Sequence, residues 1–195
     1  NISFDDFSEQ LIELINELKI KKIHLVGFSI GSLIARNFAA KYNDRLESLT
    51  LLCSIFNRSQ EQQQIVKDRF ELVKKSKILS KQALNRWFTD DYLEKHPNTY
   101  EKISSILEKN NMENFLNIYQ LFVNHKDNEQ FEKIKTKTLI ITGEGDIGST
   151  PKMSENLSKV INNSKVKIIS KGKHLCSIEC ADDVNMAIKK HIQNA

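Results

Sequence analysis

The fold is decided by the stretch Ile23-His24-Leu25-Val26-Gly27-Phe28-Ser29-Ile30-Gly31, in which a short apolar run leads into a serine between two glycines. The run at residues 23–27 is typical of a parallel strand buried on both faces. Residues 32–42 then carry apolar side chains at helical spacing. A Gly-x-Ser-x-Gly turn between a strand and a helix is the pattern of a nucleophile elbow. We therefore expect Ser29 to be a nucleophile and the N–H of Ile30 to stabilise an oxyanion.

The glycines at positions 27 and 31 fit this interpretation, because a Cβ atom at either position is expected to collide with the neighbouring strand or helix. The bland alternative is an ordinary Gly/Ser turn, since so short a motif also occurs by chance. A candidate base and acid elsewhere in the sequence are needed to distinguish the nucleophile elbow from the ordinary turn.

The surrounding pattern is alternating helices and strands. Residues 4–18 have the period of an amphipathic helix that Ser3 is expected to cap, and residues 46–53 form a second apolar strand. This order predicts an α/β fold with a parallel sheet and right-handed crossovers. Further along we predict strands at 138–142 and 165–170 and helices at 151–160 and 177–192.

The middle of the chain differs in composition. Between about residues 57 and 126, Gln, Lys, Asn and Glu dominate, and apolar residues fall at helical spacing without an alternating stretch. We predict a core of residues 1–56 and 127–195, interrupted by a helical cap of residues 57–126.

A serine nucleophile needs a base, and the base needs an acid that orients it. Among the five histidines, His24 lies in a predicted buried strand and is expected in the core, whereas His174 follows a strand in a glycine-containing turn. Asp146 follows another strand and is preferred to Glu144, because glycines on both sides let its loop turn. Since the carboxyl ends of parallel strands meet at one edge, Ser29, Asp146 and His174 are predicted to converge there.

Composition and charge exclude several classes of function and location. The formal net charge of +4 is too small to indicate a nucleic-acid or membrane partner, and no apolar stretch is long enough for a membrane span. Three cysteines do not form a disulfide framework, so we expect a soluble cytoplasmic protein. Cys176 and Cys180 are expected to be small buried side chains near the start of the last helix, and Cys53 to lie on another strand, so neither a metal nor a cofactor is predicted.

The motifs GFSIGS, TGEGDIGSTP and GKHLCSIE, in this order, resemble the elbow, acid loop and histidine loop of the α/β-hydrolase family. The segments RSQEQQQIVKDRF and LNRWFTDDYLEKHP of the cap are similar to 3-oxoadipate enol-lactonases. The resemblance implies a partial α/β-hydrolase fold with a mostly parallel sheet, flanking helices and a helical cap. It implies attack by Ser29 on a small ester or lactone, His174 as base and then acid, Asp146 as its orienting partner, and hydrolysis of an acyl-enzyme.

In the cap, Trp87 is expected to offer an apolar wall, and Arg86 or Arg58 to hold a substrate carboxylate by a two-pronged contact.

Glu179 resembles a family position but lacks the proline that often follows it, and no role is assigned to it. The family's first strands, one loop of which supplies a second oxyanion donor, have no counterpart here, so a longer hydrolase is expected. A non-catalytic ligand binder, a cofactor-free haloperoxidase and a C–C bond hydrolase remain alternatives.

Overall fold

A computed structural model describes residues 2–76 and 81–195. Within this part of the chain, one sheet has four parallel strands in the order β1-β2-β3-β4. They are β1 (Ile23–Phe28), β2 (Leu46–Leu52), β3 (Thr138–Gly143) and β4 (Ser164–Ile169). All carboxyl ends therefore meet at one edge of the sheet, and the predicted α/β fold with a parallel sheet is confirmed.

Helices occupy most of the remaining described chain. In chain order they are α1 (Phe4–Glu17), α2 (Ile30–Lys41), α3 (Gln60–Ser76), α4 (Lys81–Trp87), α5 (Asp90–Lys95), α6 (Pro97–Glu108), α7 (Met112–Val123), α8 (Pro151–Val160), α9 (Cys176–Glu179) and α10 (Ala181–Gln193). Two short 3-10 helices lie at Asn43–Arg45 and Phe131–Lys133. As predicted, Ser3 caps α1: its hydroxyl accepts the N–H of Asp6, and its own N–H donates to the Asp6 carboxylate.

The sheet is covered by helices on both faces. On one face, Leu49 and Ile140 of the sheet pack with Phe38 of α2 and Leu157 of α8 in a fully buried cluster, which Ile15 of α1 joins. On the other face, a second cluster joins β3 to Val184 of α10. These two apolar layers fix the strand ends that carry the site.

Strand β1 is more exposed than the sequence suggested. In the described part of the chain it pairs only with β2, and its outer face leaves His24 and Val26 exposed, the latter to 44%. The His24 Nδ1 atom lies 2.8 Å from Ser48 Oγ and shares a hydrogen bond with it. The prediction of a strand buried on both faces, with His24 in the core, was wrong, because α10 packs over the other three strands.

The closing helix also differs from its prediction. Instead of one helix over residues 177–192, α9 and α10 are separated at Cys180, whose φ of −124° and ψ of 46° are not helical. The break ends α9 at Glu179, whose carboxylate turns back to the N–H of Lys173.

Between β2 and β3, the described chain forms the five helices α3 to α7 and a short 3-10 helix, joined by loops and without a strand. Its helices are joined by aromatic contacts, among them Phe70 with Tyr119 at 5.4 Å and Phe88 stacked on Tyr92 at 5.2 Å. The boundaries 57–126 for a cap stay a prediction. We call this stretch the cap below.

The two ends of the cap meet at Asp127. Its carboxylate accepts the N–H of Asn57 at 2.7 Å and pairs with the fully buried Arg36, which also lies 2.7 Å from Glu129. Burial raises the pKa of Asp127, but hydrogen bonding from His125 and the Arg36 charge outweigh burial and hold it well below its usual range. A charged network thus ties both junctions of the cap to α2.

In residues 2–76 and 81–195, no helix combines the length and apolar character needed to cross a bilayer.

Candidate active site

Ser29 lies on the sharp turn between β1 and α2. Its φ of 53° is positive, a strained conformation for a residue with a Cβ, and its N–H donates to Leu52 O at 2.9 Å. A Cβ at Gly27 would lie 2.3 Å from Gly31 O, so only glycine fits there. A Cβ at Gly31 would meet no described atom within 4 Å, so the expected collision at that position was wrong.

His174 lies beside the serine. Its Nε2 atom is 3.0 Å from Ser29 Oγ, and its Nδ1 atom is 2.7 Å from Asp146 Oδ2. Because an ionised carboxylate only accepts hydrogen bonds, Nδ1 carries the proton and Nε2 is left to accept the Ser29 hydroxyl. This arrangement is suited to removing a proton from Ser29.

Asp146 is held in place by its own loop. The side chain is buried, and its second oxygen, Oδ1, accepts the N–H groups of Gly148 at 2.8 Å and Ser149 at 2.9 Å. Glu144 points elsewhere: its carboxylate accepts from Ser170 Oγ and the N–H of Lys171. The structure thus brings Asp146, and not Glu144, to His174.

Glycine also explains why the loops after β3 and β4 touch. A Cβ at Gly143 would lie 2.3 Å from Lys173 O, and one at Gly172 would lie 2.8 Å from the Cβ of Cys176. The N–H of Gly145 donates to Gly172 O at 2.9 Å. This close backbone approach sets the distance between Asp146 and His174.

Ile30 is the first residue of α2. The first N–H groups of a helix have no partner within it, and the helix dipole places partial positive charge there. The predicted oxyanion donor, the N–H of Ile30, therefore lies directly beside Ser29. Both residues line a cavity at this edge of the sheet.

That cavity, of about 670 Å³, lies between the sheet edge and the cap. Ser29 and His174 line its base, and the three residues predicted to contact substrate, Trp87, Arg86 and Arg58, also line it. Further lining residues are mostly apolar: Ile55, Ile65, Leu72, Phe115, Ile118 and Phe122.

Arg58 is the best-defined cation of the cavity. Its Nη1 donates to Phe122 O and Gln63 Oε1, both at 3.1 Å, and its guanidinium carbon lies 4.2 Å from the centroid of the Phe122 ring. The buried Nη2 has no hydrogen-bond partner among the described residues. Burial lowers the pKa of Arg58 to about 10, so the group remains charged at neutral pH.

Several polar lining residues were missed by the sequence analysis, among them Arg69 and Tyr119. Arg69 lies on the face of α3 toward the cavity, and Tyr119 lies on α7. Burial raises the pKa of the Tyr119 hydroxyl and lowers the pKa of Arg86, although Arg69 and other charges also act on both. The helical spacing of Ile65, Arg69 and Leu72 was the available signal for one shared face of α3.

The cysteines match their prediction in part. Cys53 directly follows β2, and its buried sulfur lies 3.8 Å from the buried sulfur of Cys176. Cys176 is buried as predicted, whereas Cys180 is only half-buried. The Cys53 thiol donates to the carbonyl of His174 at 3.2 Å. The hydrogen bond with the thiol of Cys176, together with burial, raises the pKa of Cys53, so it remains a neutral thiol.

Two groups of three side chains bring potential metal ligands within 4.8 Å of one another in the described residues. In the first, Cys53 joins His174 and Asp146, whose facing atoms are hydrogen-bonded to each other. In the second, Asp127 and Glu129 are paired with Arg36 beside His125. In both groups the ligand atoms already serve other partners.

Comparison with known proteins identifies the family of this fold. A family model described as alpha/beta hydrolase fold matches residues 1–180. The chain belongs to the α/β-hydrolase fold family.

Among curated relatives of this α/β-hydrolase chain, an (E)-2-((N-methylformamido)methylene)succinate hydrolase of Acinetobacter baylyi is 24% identical over 96% of the chain and 72% of the relative. A 3-oxoadipate enol-lactonase of the same organism is 22% identical over 95% and 69%. The solved structure of a thermophilic esterase from Thermogutta terrifontis, with malate bound, superposes with a TM-score of 0.86 at 24% identity, covering 99% of this chain and 73% of that one. The predicted similarity to enol-lactonases is confirmed.

Proposed function

We propose that the protein is a serine hydrolase that cleaves small esters or lactones carrying a carboxylate. The observation that carries the proposal is the hydrogen-bonded chain from Ser29 Oγ through His174 to Asp146, at the base of a cavity lined by cationic side chains. A chain of these three groups activates an alcohol for attack on a carbonyl carbon.

In the first half of the reaction, Ser29 Oγ bonds to the carbonyl carbon while His174 Nε2 takes the hydroxyl proton. The new oxyanion lies against the N–H of Ile30 at the start of α2. When the carbon–oxygen bond to the leaving group breaks, the imidazolium returns the proton to that oxygen, and an acyl-enzyme remains. Asp146 keeps the imidazole in the required tautomer and stabilises its charge.

In the second half, water replaces the alcohol. His174 takes a proton from water as its oxygen attacks the acyl carbon, and the bond to Ser29 breaks with the proton returned to Oγ. The products are a carboxylic acid and an alcohol, or a single hydroxy or keto acid when the substrate is a lactone.

The charges of the cavity support a carboxylate preference. Among the described residues of the cap, three arginines, Arg58, Arg69 and Arg86, and one carboxylate, Asp68, line the cavity. The Nη2 atom of Arg58 is a charged donor without a hydrogen-bond partner among the described residues, and a carboxylate is the acceptor that a guanidinium group suits. The names of the two curated relatives, which contain succinate and 3-oxoadipate, are consistent with acidic substrates.

The proposal is tested with a fluorophosphonate probe, which reacts covalently with activated serines. We expect the protein to label, and Ser29→Ala and His174→Ala to lose labelling while remaining folded by circular dichroism. Glu144→Gln, which alters a carboxylate that His174 does not contact, is the matched control and should label normally. A folded protein that never labels but binds small dicarboxylates would instead indicate a non-catalytic binder.

A further inference from the structure

The backbone on both sides of His174 is hydrogen-bonded to the cap. The N–H of Leu175 donates to Trp87 O at 2.9 Å, and the ammonium group of Lys173 donates to Asn85 O at 2.8 Å. The loop that holds the imidazole therefore contacts the segment that carries Trp87, one wall of the cavity.

Glu179 connects the same two segments through one carboxylate. Its Oε2 accepts the N–H of Lys173 at 3.0 Å, directly before His174. Its Oε1 accepts both the N–H of Thr89, at 2.9 Å, and the Thr89 hydroxyl. Three donors on one partly buried carboxylate make charge-assisted bonds, which are stronger than bonds between neutral groups.

Thr89 is held in place at the start of α5. Its side chain caps α5 by accepting the N–H of Tyr92, and the neighbouring Phe88 is fully buried and stacked on the Tyr92 ring. The Glu179 carboxylate thus binds the start of α5 rather than a mobile side chain.

We propose that Glu179 is a positioning residue. By binding both the His174 loop and the start of α5, its carboxylate holds the imidazole within hydrogen-bond distance of Ser29 while the cap covers the cavity. The inference rests on the proposed hydrolase function and deepens it by making the cap part of the base's support. Misplacing a catalytic group by about 1 Å can lower a rate about 100-fold. The break between α9 and α10 has a role here, because it ends α9 where this carboxylate can reach both loops.

The test measures the rate of fluorophosphonate labelling of Ser29, and kcat and KM for p-nitrophenyl acetate, at a temperature where every variant is folded. We expect Glu179→Ala to lower the labelling rate and kcat about 10- to 100-fold. KM for this small ester should change less than threefold, since Glu179 does not line the cavity. Glu179→Gln keeps the size of the side chain but turns an amide N–H₂ toward one donor. Its labelling rate and kcat should therefore lie between those of wild type and Glu179→Ala.

Thr89 supplies a milder pair of variants. Thr89→Val removes the hydroxyl donor to Glu179 and should slow labelling, whereas Thr89→Ser keeps that donor and should restore the wild-type rate. Glu144→Gln is the matched control, because its carboxylate also accepts a backbone N–H near His174 but does not contact the cap.

The outcomes separate the two proposals. If the unaltered protein does not label, the hydrolase proposal fails and the positioning role with it. If it labels, but Glu179→Ala and Thr89→Val label as fast as wild type and only unfold at lower temperature, Glu179 is merely structural and this inference is overturned while the hydrolase proposal stands.

Discussion

The Nε2 atom of His174 lies 3.0 Å from the hydroxyl of Ser29, although 145 positions separate the two residues in the chain. The contact exists because β1 and β4 run parallel and end at the same edge of the sheet. The loop after β3 places Asp146 on the far side of the imidazole.

The first prediction concerns the orienting acid. Asp146→Asn should lower kcat by about 10³- to 10⁴-fold, because an amide can hold the imidazole in the wrong tautomer and leaves its positive charge unpaired. Steady-state turnover of p-nitrophenyl acetate measures the effect. Glu144→Gln should differ from wild type by less than threefold, and a large loss there with a normal Asp146→Asn would reverse the assignment of the acid.

A second prediction concerns Arg58. Arg58→Met should raise KM for a mono-p-nitrophenyl succinate about 10- to 100-fold, the effect of losing one charged hydrogen bond. KM for p-nitrophenyl acetate, which lacks the carboxylate, should be nearly unchanged. Lys95→Gln, an exposed cap cation outside the cavity, is the control. Equal losses with both esters would indicate that Arg58 supports the cap rather than the substrate.

The elbow glycines give a third prediction, on stability. Gly27→Ala should destabilise the protein by about 1–3 kcal/mol, because the new Cβ is forced against Gly31 O and the side chain of Ala35. Gly31→Ala should have little effect, since its Cβ enters open space. Urea unfolding of the two variants measures the difference, and the account of the turn is wrong if Gly31→Ala is the more damaging change.

The network that joins the cap to α2 predicts a pH dependence. Folding lowers the pKa of Asp127, so its ionised form contributes stability that is complete above its ordinary pKa, about 4, and is lost as the pH falls toward the lower native value. Asp127→Asn should therefore be less stable at neutral pH and should lose less stability than wild type between about pH 5 and pH 2. Thermal unfolding across this range is the measurement.

The matched control for that series is Asp44→Asn, a change at an exposed aspartate in the 3-10 helix Asn43–Arg45. It should follow the wild-type curve. An acid slope in Asp127→Asn that equals the wild-type slope would show that other carboxyl groups carry the acid sensitivity.

Local sequence patterns were sufficient for the parallel sheet and for the approach of Ser29, Asp146 and His174, because each follows a recognisable strand and strand ends share an edge. They were not sufficient for β1, where exposure depends on which helices cover the sheet. Contacts of the cap could not be predicted for the same reason. The place of Arg69 in the cavity depends on how the helices of the cap pack, and the bonds between Glu179 and Thr89 join residues 90 positions apart.

Acylation of Ser29 during turnover is measured most directly by rapid mixing of the protein with p-nitrophenyl acetate, followed by acid quenching and peptide mass mapping. The account predicts a burst of p-nitrophenol approaching one equivalent per chain and an acetyl group on the peptide containing Ser29, absent in Ser29→Ala. Turnover of the ester with no acyl adduct on Ser29, and an undiminished rate in Ser29→Ala, would contradict it.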